Sequence, residues 1–213
     1  MPEMIILLAV TDMDNAHFCI AGVSDGQWAR PVLRPTSELP RQLTADDINT
    51  DGELWKPWDI IEVEKFFAVP RALPHSEDLG FEPRSARRVG YVDEPAQRAE
   101  LLARYACADD SWLKLLNGEG RRSLCLVRAA QLSWFPNPYD PKKKRATLAI
   151  GRTTFNREGK GYSVVDHYAS DWCNGAATMS SVSTPYVLLG LSRLYKERFW
   201  PMVLRAFCAP DYR

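Results

Sequence analysis

Helical periodicity is confined to one stretch of this chain. In "DEPAQRAELLARYACADDSWLKLLNG" (93–118), Leu101, Leu102, Tyr105, Leu113 and Leu116 recur at roughly helical spacing, Asp93 can cap the start, Pro95 suits the first turn and Gly118 can close the end. The interval 106–110 divides it into two helices. What lies before and after reads as strands and turns, so the expected class is mainly β with a helical insert. A content of 15 Pro against 12 Gly fits many short elements separated by turns.

Ahead of the helices, "MIILLAV" (4–10) is a continuous apolar run followed by "TDMDN", which reads as a buried strand and a loop. "CIAGVSDGQWARPVL" (19–33) reads as a hairpin. With Asp25-Gly26 in a type I′ turn, Ser24 faces Gln27, Val23 faces Trp28, Ala21 faces Arg30 and Cys19 faces Val32. Trp28 and Arg30 then share a side with Cys19, Ala21, Val23 and Val32, while Ile20, Gly22, Ala29 and Pro31 take the other. Residues 34–58 are loop-like with a few helical turns, "DIIEVEKFFAV" (59–69) alternates as a half-buried strand, and the proline-broken stretch after it reads as a connector. From Ser123 onward strand signals return in about five runs, ending in "TPYVLLGLSRLY" and "FWPMVLRAFC". The order predicts one β unit over 1–70, a connector and helical insert over 71–122, and a second β unit over 123–213. Each unit has enough strands for a small barrel or a compact sandwich. "AGVSDGQWARPVLR" and "LSRLYKERFWPMVLRA" both place a turn before Trp, then Pro, then Val-Leu-Arg, an echo that suggests duplication.

With 213 residues, 46% of them hydrophobic, the chain can bury a real core. Its 5 Cys form no Cys-x-x-Cys pair and read as reduced, packed thiols, with neither a disulfide framework nor a zinc site indicated. "MPEMIILLAV" reads as a first strand and not as a secretion signal, so a cytoplasmic protein without membrane contact is expected. Formal net charge is zero, yet the charge is segregated. Lys142, Lys143, Lys144, Arg145, Arg152, Arg157 and Lys160 face a single acid, Glu158, within 142–160, which leaves −6 for the remainder. Such a cluster suits an acidic partner or a solvated hairpin tip.

Cys19-Ile20-Ala21-Gly22 followed by Gly26-Gln27-Trp28-Ala29-Arg30-Pro31-Val32 resembles the dual OB-containing domain family, and "YVLLGLSRLYKERFWPMVLRAF" is similar to that family's end. The resemblance implies two OB-like β-barrels in tandem and a setting among prokaryotic conflict or defence systems. It supplies no catalytic residues, and 71–118 and the basic span from 142 match nothing in it.

OB barrels bind single-stranded nucleic acid by stacking bases on exposed aromatics while cations follow the phosphates. Trp28 with Arg30 fits that use, or else a structural unit in which Arg30 pairs with a buried carboxylate. Tyr139, Phe155 and Tyr162 interleave with the basic cluster as an oligonucleotide groove requires, unless Phe155 and Tyr162 point into the barrel. An enzyme would have to draw on Asp166, His167, Asp171 and Cys173, but adjacent strand residues face opposite ways. No Walker loop, dinucleotide fingerprint or deaminase signature is present. "LWKPWD" (54–59) holds two tryptophans around a proline, the best candidate for an exposed protein-binding anchor.

The sequence thus reads as a non-catalytic module that binds nucleic acid, single-stranded, or a nucleotide ligand, in a defence-related system. Its expected contacts are Lys142, Lys143, Lys144, Arg145, Arg152, Phe155, Arg157, Lys160, Tyr162, Trp28 and Arg30. No cofactor or metal is expected, and a defence-operon protein is an expected partner. The alternatives are a protein-interaction adaptor and an enzyme acting on nucleic acid.

Overall fold

The computed structural model describes all residues except 1, 14–15, 34–41, 68, 70–72, 120, 174–179 and 195. The protein is mainly β. Its first half holds β1 (Glu3–Asp12), β2 (Phe18–Ser24), β3 (Gln27–Leu33), the short pair β4 (Asn49–Thr50) and β5 (Glu53–Leu54), β6 (Asp59–Val63), β7 (Phe66–Phe67), β8 (Asp78–Phe81) and β9 (Ala86–Tyr91). The helices α1 (Pro95–Tyr105) and α2 (Ser111–Leu116) follow, split where expected. The second half holds β10 (Leu124–Arg128), β11 (Gln131–Asn137), β12 (Asp140–Ile150), β13 (Thr153–Phe155), β14 (Tyr162–Val164), β15 (Ser180–Ser183), β16 (Tyr186–Leu191) and β17 (Pro201–Phe207).

One seven-stranded sheet runs β7-β8-β3-β2-β1-β6-β9, and one eight-stranded sheet runs β10-β16-β17-β14-β12-β11-β15 with β13 beside β12. The span read as a connector contributes β8 and β9, so the first sheet runs past residue 70 to Tyr91. Of the loop at 34–58, residues 34–41 lie outside the described set, and Ala45–Ile48 form a single 3-10 turn.

The opening hairpin takes the expected register, with Val23 opposite Trp28 and Ser24 opposite Gln27. Asp25 and Gly26 both have positive φ, as a type I′ turn requires. Gly22 is there for space, since a Cβ would collide with the Ile6 carbonyl.

Apolar side chains form three layers. Ile5, Leu7, Val10, Ile20, Trp55, Ile61 and Phe81 fill the first unit. Leu132, Trp134, Ala146, Leu148, Val187 and Val203 fill the second, with Leu115 and Leu116 of α2. Between the sheets, Leu8, Ala9, Ala21 and Val23 pack on Leu124, Leu126, Leu188 and Leu204, joined by Trp58 and Leu102. Alternation of side chains lets β1 serve two layers, and a bulge between Leu7 and Ala9 shifts its phase so that the inward position after Leu7 is Val10 and Leu8 and Ala9 both meet the layer between the sheets. The unbroken apolar runs in β1, β10 and β16 follow from burial on both faces.

The helical insert covers the free edge of β10. Ala106 bridges Leu126, and the Cys107 N–H donates to the Leu126 carbonyl at 2.7 Å. Cys107 and Cys125 are joined as a disulfide and are not the reduced, packed thiols expected of them. Cys19, Cys173 and Cys208 remain free. No Cys-x-x-Cys spacing signals this pair, because the insert brings the two cysteines together only after it docks on β10.

Candidate nucleic-acid interface

The structure separates the expected contact residues into two groups. Trp28, Arg30, Phe155 and Tyr162 belong to packing. Trp28 meets Tyr105 of α1 edge to face, with centroids 5.7 Å apart, and packs on the layer between the sheets. Arg30 is 4% exposed, and its Nε donates to Asp78 at 2.6 Å from the neighbouring strand. The other Asp78 oxygen accepts from Arg193 of the second unit at 2.7 Å. Arg30 is therefore the structural arginine and cannot reach a phosphate. Phe155 meets Trp112 edge to face at 5.0 Å, and Tyr162 lies inside the second unit, where burial pushes its hydroxyl pKa up. Tyr162 thus offers no face to a base, and Phe155 is half-buried against the second core.

The cations form the second group. Ala146 and Leu148 of β12 point into the core, so the alternating row of Lys143, Arg145 and Thr147 faces outward. Lys142 and Lys143 are exposed near the β11–β12 turn, next to Tyr139, which is 79% exposed. Arg145 is half-buried and donates from Nη1 to the Gly161 carbonyl at 3.0 Å. Phe135 of β11 lies directly opposite it and Ser163 of β14 on the other side. Lys144 sits on the inner-facing row, with its charge near Cys173.

Beyond this strand, Arg157 lies over the Trp200 ring at 3.8 Å. Burial pulls its pKa below the usual guanidinium value, and Arg145 and Arg198 nearby add to the effect. Arg152 and Lys160 are exposed in turns. β12 spans eleven residues, on the order of 33 Å, so Lys142 and Arg152 stand near opposite ends. Among the described residues, no carboxylate comes within ion-pair distance of Lys142, Lys143, Arg145, Arg152, Arg157 or Lys160. Arg30, Arg87, Arg88, Arg98, Arg104, Arg193, Arg205 and Arg213 pair with acids, whereas Arg84, Arg121, Arg122, Arg128 and Arg198 make no ion pair among the described residues either; what marks the 142–160 cations is their density along one hairpin.

Of the aromatics near the basic cluster, Tyr139 is exposed, and Phe135 is half-buried on the strand facing Arg145. Strand parity is the signal for Phe135, since it neighbours Trp134, which points into the core.

The enzyme candidates are dispersed. Asp166 is buried and accepts from Trp172 Nε1 at 2.7 Å and Arg205 Nη1 at 2.9 Å. His167 turns the other way and bonds Asp12 through Nδ1 at 2.7 Å. Burial pushes the Cys173 thiol up to about 11, the reverse of what a nucleophile needs. Among the described residues no cluster of His, Cys, Asp and Glu is placed to hold a metal. Trp55 and Trp58, expected as exposed anchors, are each 1% exposed. Trp58 adopts a positive φ of 76°, which sends its ring to the layer between the sheets while Trp55 fills the first unit.

Fold and site together define a mainly β protein of two large sheets and a small helical insert, with a cationic hairpin on the second sheet whose Lys142, Lys143 and Arg145 make no ion pair among the described residues. No family model and no curated protein matches the chain. Among solved structures it is similar to the tetrameric p202 HIN2, at 9% identity and a TM-score of 0.32, over 95% of this chain and 86% of that one. It is also similar to the Ifi202 HINa domain in complex with 20bp dsDNA, at 12% identity and a TM-score of 0.33, over 95% and 90%. No helix of the described residues is long and apolar enough to cross a membrane.

Proposed function

We propose that the protein binds single-stranded nucleic acid, without catalysing a reaction, along the outer face of β11 and β12. The observation that carries this reading is the set of cations without carboxylate partners beside an exposed aromatic. Lys143 and Arg145 on the outward row meet phosphates, Lys142 joins them from the exposed end of the strand beside the turn, Tyr139 stacks a base, and Phe135 supports Arg145 from the facing strand. A flexible single strand can follow this row, whereas a stacked duplex keeps its bases from Tyr139. The resemblance to the dual OB-containing family accords with this use and with a cytoplasmic role in a prokaryotic defence system.

Fluorescence anisotropy with a labelled oligonucleotide, read across a salt series, tests the proposal. Changing Lys142, Lys143 and Arg145 together to Ala reduces the salt slope by about 2, at roughly 0.7 per phosphate contact on a single strand. Unchanged affinity and slope overturn the site, and equal affinity for duplex and single strand overturns the preference.

A further inference from the structure

A cleft of about 450 Å³ lies between the two units on the side where the chain ends. Lys56, Trp58 and Tyr91 wall it from the first unit, and Tyr168 and Arg205 from the second. The last turn of the chain is held beside it by two bonds. Trp58 Nε1 donates to the Tyr212 carbonyl at 2.9 Å, and Arg98 Nη1 donates to the Asp211 carbonyl at 2.9 Å.

Three features set this cleft apart from a gap between packed surfaces. The first is positive charge held against aromatic rings. Arg98 is buried between Trp58 and Tyr91, at 5.6 Å and 5.3 Å, and its nearest carboxylate is on exposed Asp93 at 3.9 Å. Lys56 is exposed, makes no ion pair among the described residues, and sits 5.1 Å over the Tyr91 ring. The second is an unspent donor. Arg205 is buried with Nη1 on Asp166 and Nη2 on Asp171, yet its Nε has no partner. The third is the positive φ of Trp58, a conformation that a bulky residue keeps only where its surroundings hold it, and which concentrates at binding sites.

We propose that this cleft binds a nucleoside monophosphate. Its volume lies within the range of small-ligand sites. Lys56 is placed for the phosphate, which Arg213 reaches by leaving Asp211, 3.6 Å from its Nε; the Tyr91 ring is placed for the base, and Asp171, whose Oδ2 accepts from Arg205, offers Oδ1 to a sugar hydroxyl. Lys56 is on a flexible stem, so its move to the phosphate frees the ring face it now covers. The site shares no residue with the β11–β12 face, and the two readings stand or fall separately.

The test is calorimetric titration of the full chain with adenosine 5′-monophosphate, with adenosine and inorganic phosphate as separate arms. The expected result is binding of the monophosphate that exceeds both arms and weakens by about five-fold or more in Lys56→Ala and in Tyr91→Ala. The triple hairpin variant of Lys142, Lys143 and Arg145 binds it as the unaltered chain does. Lys56→Ala changes only an exposed side chain, so the test does not depend on how Tyr91→Ala folds. Absence of monophosphate binding, binding matched by either arm alone, or binding lost in the hairpin variant and kept in Lys56→Ala each overturns the proposal.

Discussion

Arg30 and Asp78 stand directly opposite one another on the parallel strands β3 and β8, both buried. Arg205 and Asp166 repeat the relationship in the second sheet, where β17 runs parallel to β14 and Asp166 follows β14. Each pair also reaches a further charge, Arg193 in the first case and Asp171 in the second. Such a pair contributes little over apolar packing while intact, but losing one member strands a charge away from water.

For the first pair, Asp78→Ala is expected to cost about 3–5 kcal/mol, because Arg30 and Arg193 both lose their acceptor. Replacing Arg30 by Met and Asp78 by Leu together recovers most of that loss. Urea midpoints of the three chains check both statements, and a double variant as unstable as the single one would show that the pair does more than avoid an unpaired charge.

Tyr139→Ala should weaken oligonucleotide binding by about 1–3 kcal/mol, the contribution of one stacked base. Tyr162→Phe should leave it unchanged, since Tyr162 is inside the second unit. Anisotropy titrations of the two variants side by side separate the exposed tyrosine from the buried one.

His75 gives the stability a defined pH dependence. Burial, with Arg30 and Arg193 nearby, lowers its pKa to about 3, while its ring packs against Phe199. The folded value lies below the unfolded 6.5, so the neutral ring is favoured on folding. Its contribution is therefore full above about pH 6.5 and is lost as the pH falls towards 3. The buried carboxyls of Asp59 and Asp166, raised by burial, act in the opposite sense. The difference between the unaltered chain and His75→Leu isolates the histidine: as the pH is lowered from 7 to 4 the urea midpoint of the unaltered chain should fall relative to that of His75→Leu, and parallel curves would refute the assignment.

Gly161→Ala should loosen the binding face from beneath. Gly161 has a φ of 67°, its carbonyl holds Arg145, and an added Cβ would lie 2.8 Å from the Ala146 carbonyl. A loss of at least about 1 kcal/mol is expected from the backbone conformation alone. Thermal melts give that loss, and oligonucleotide affinity should fall with it because the backbone shift that relieves the contact displaces the carbonyl that holds Arg145.

The register of the opening hairpin was legible because a two-residue Asp-Gly turn fixes which residues face one another. Its environment was not, because both faces are buried, one in the first unit and one against the second. The carboxylate for Arg30 lies 48 residues away and becomes its neighbour only when β8 joins β3. The basic cluster could be read directly, but Phe155 and Tyr162 could be assigned to a side only once the paths of β13 and β14 were known. Pro57 between two tryptophans suggested exposure, and the positive φ of Trp58 resolves that difficulty by sending the rings into different layers. The sequence echo aligns Arg34 with Arg205, yet Arg34 lies outside the described residues and the pair matching Arg205 and Asp166 is Arg30 and Asp78.

The bulged strand β1 has a further consequence. Its inward side chains complete one core and its outward ones, Leu8 and Ala9, are sealed only by strands from the other half of the chain. Severing the two halves would bare this apolar layer on both, so neither is self-sufficient. The chain should melt in one cooperative transition, and each half expressed alone should aggregate.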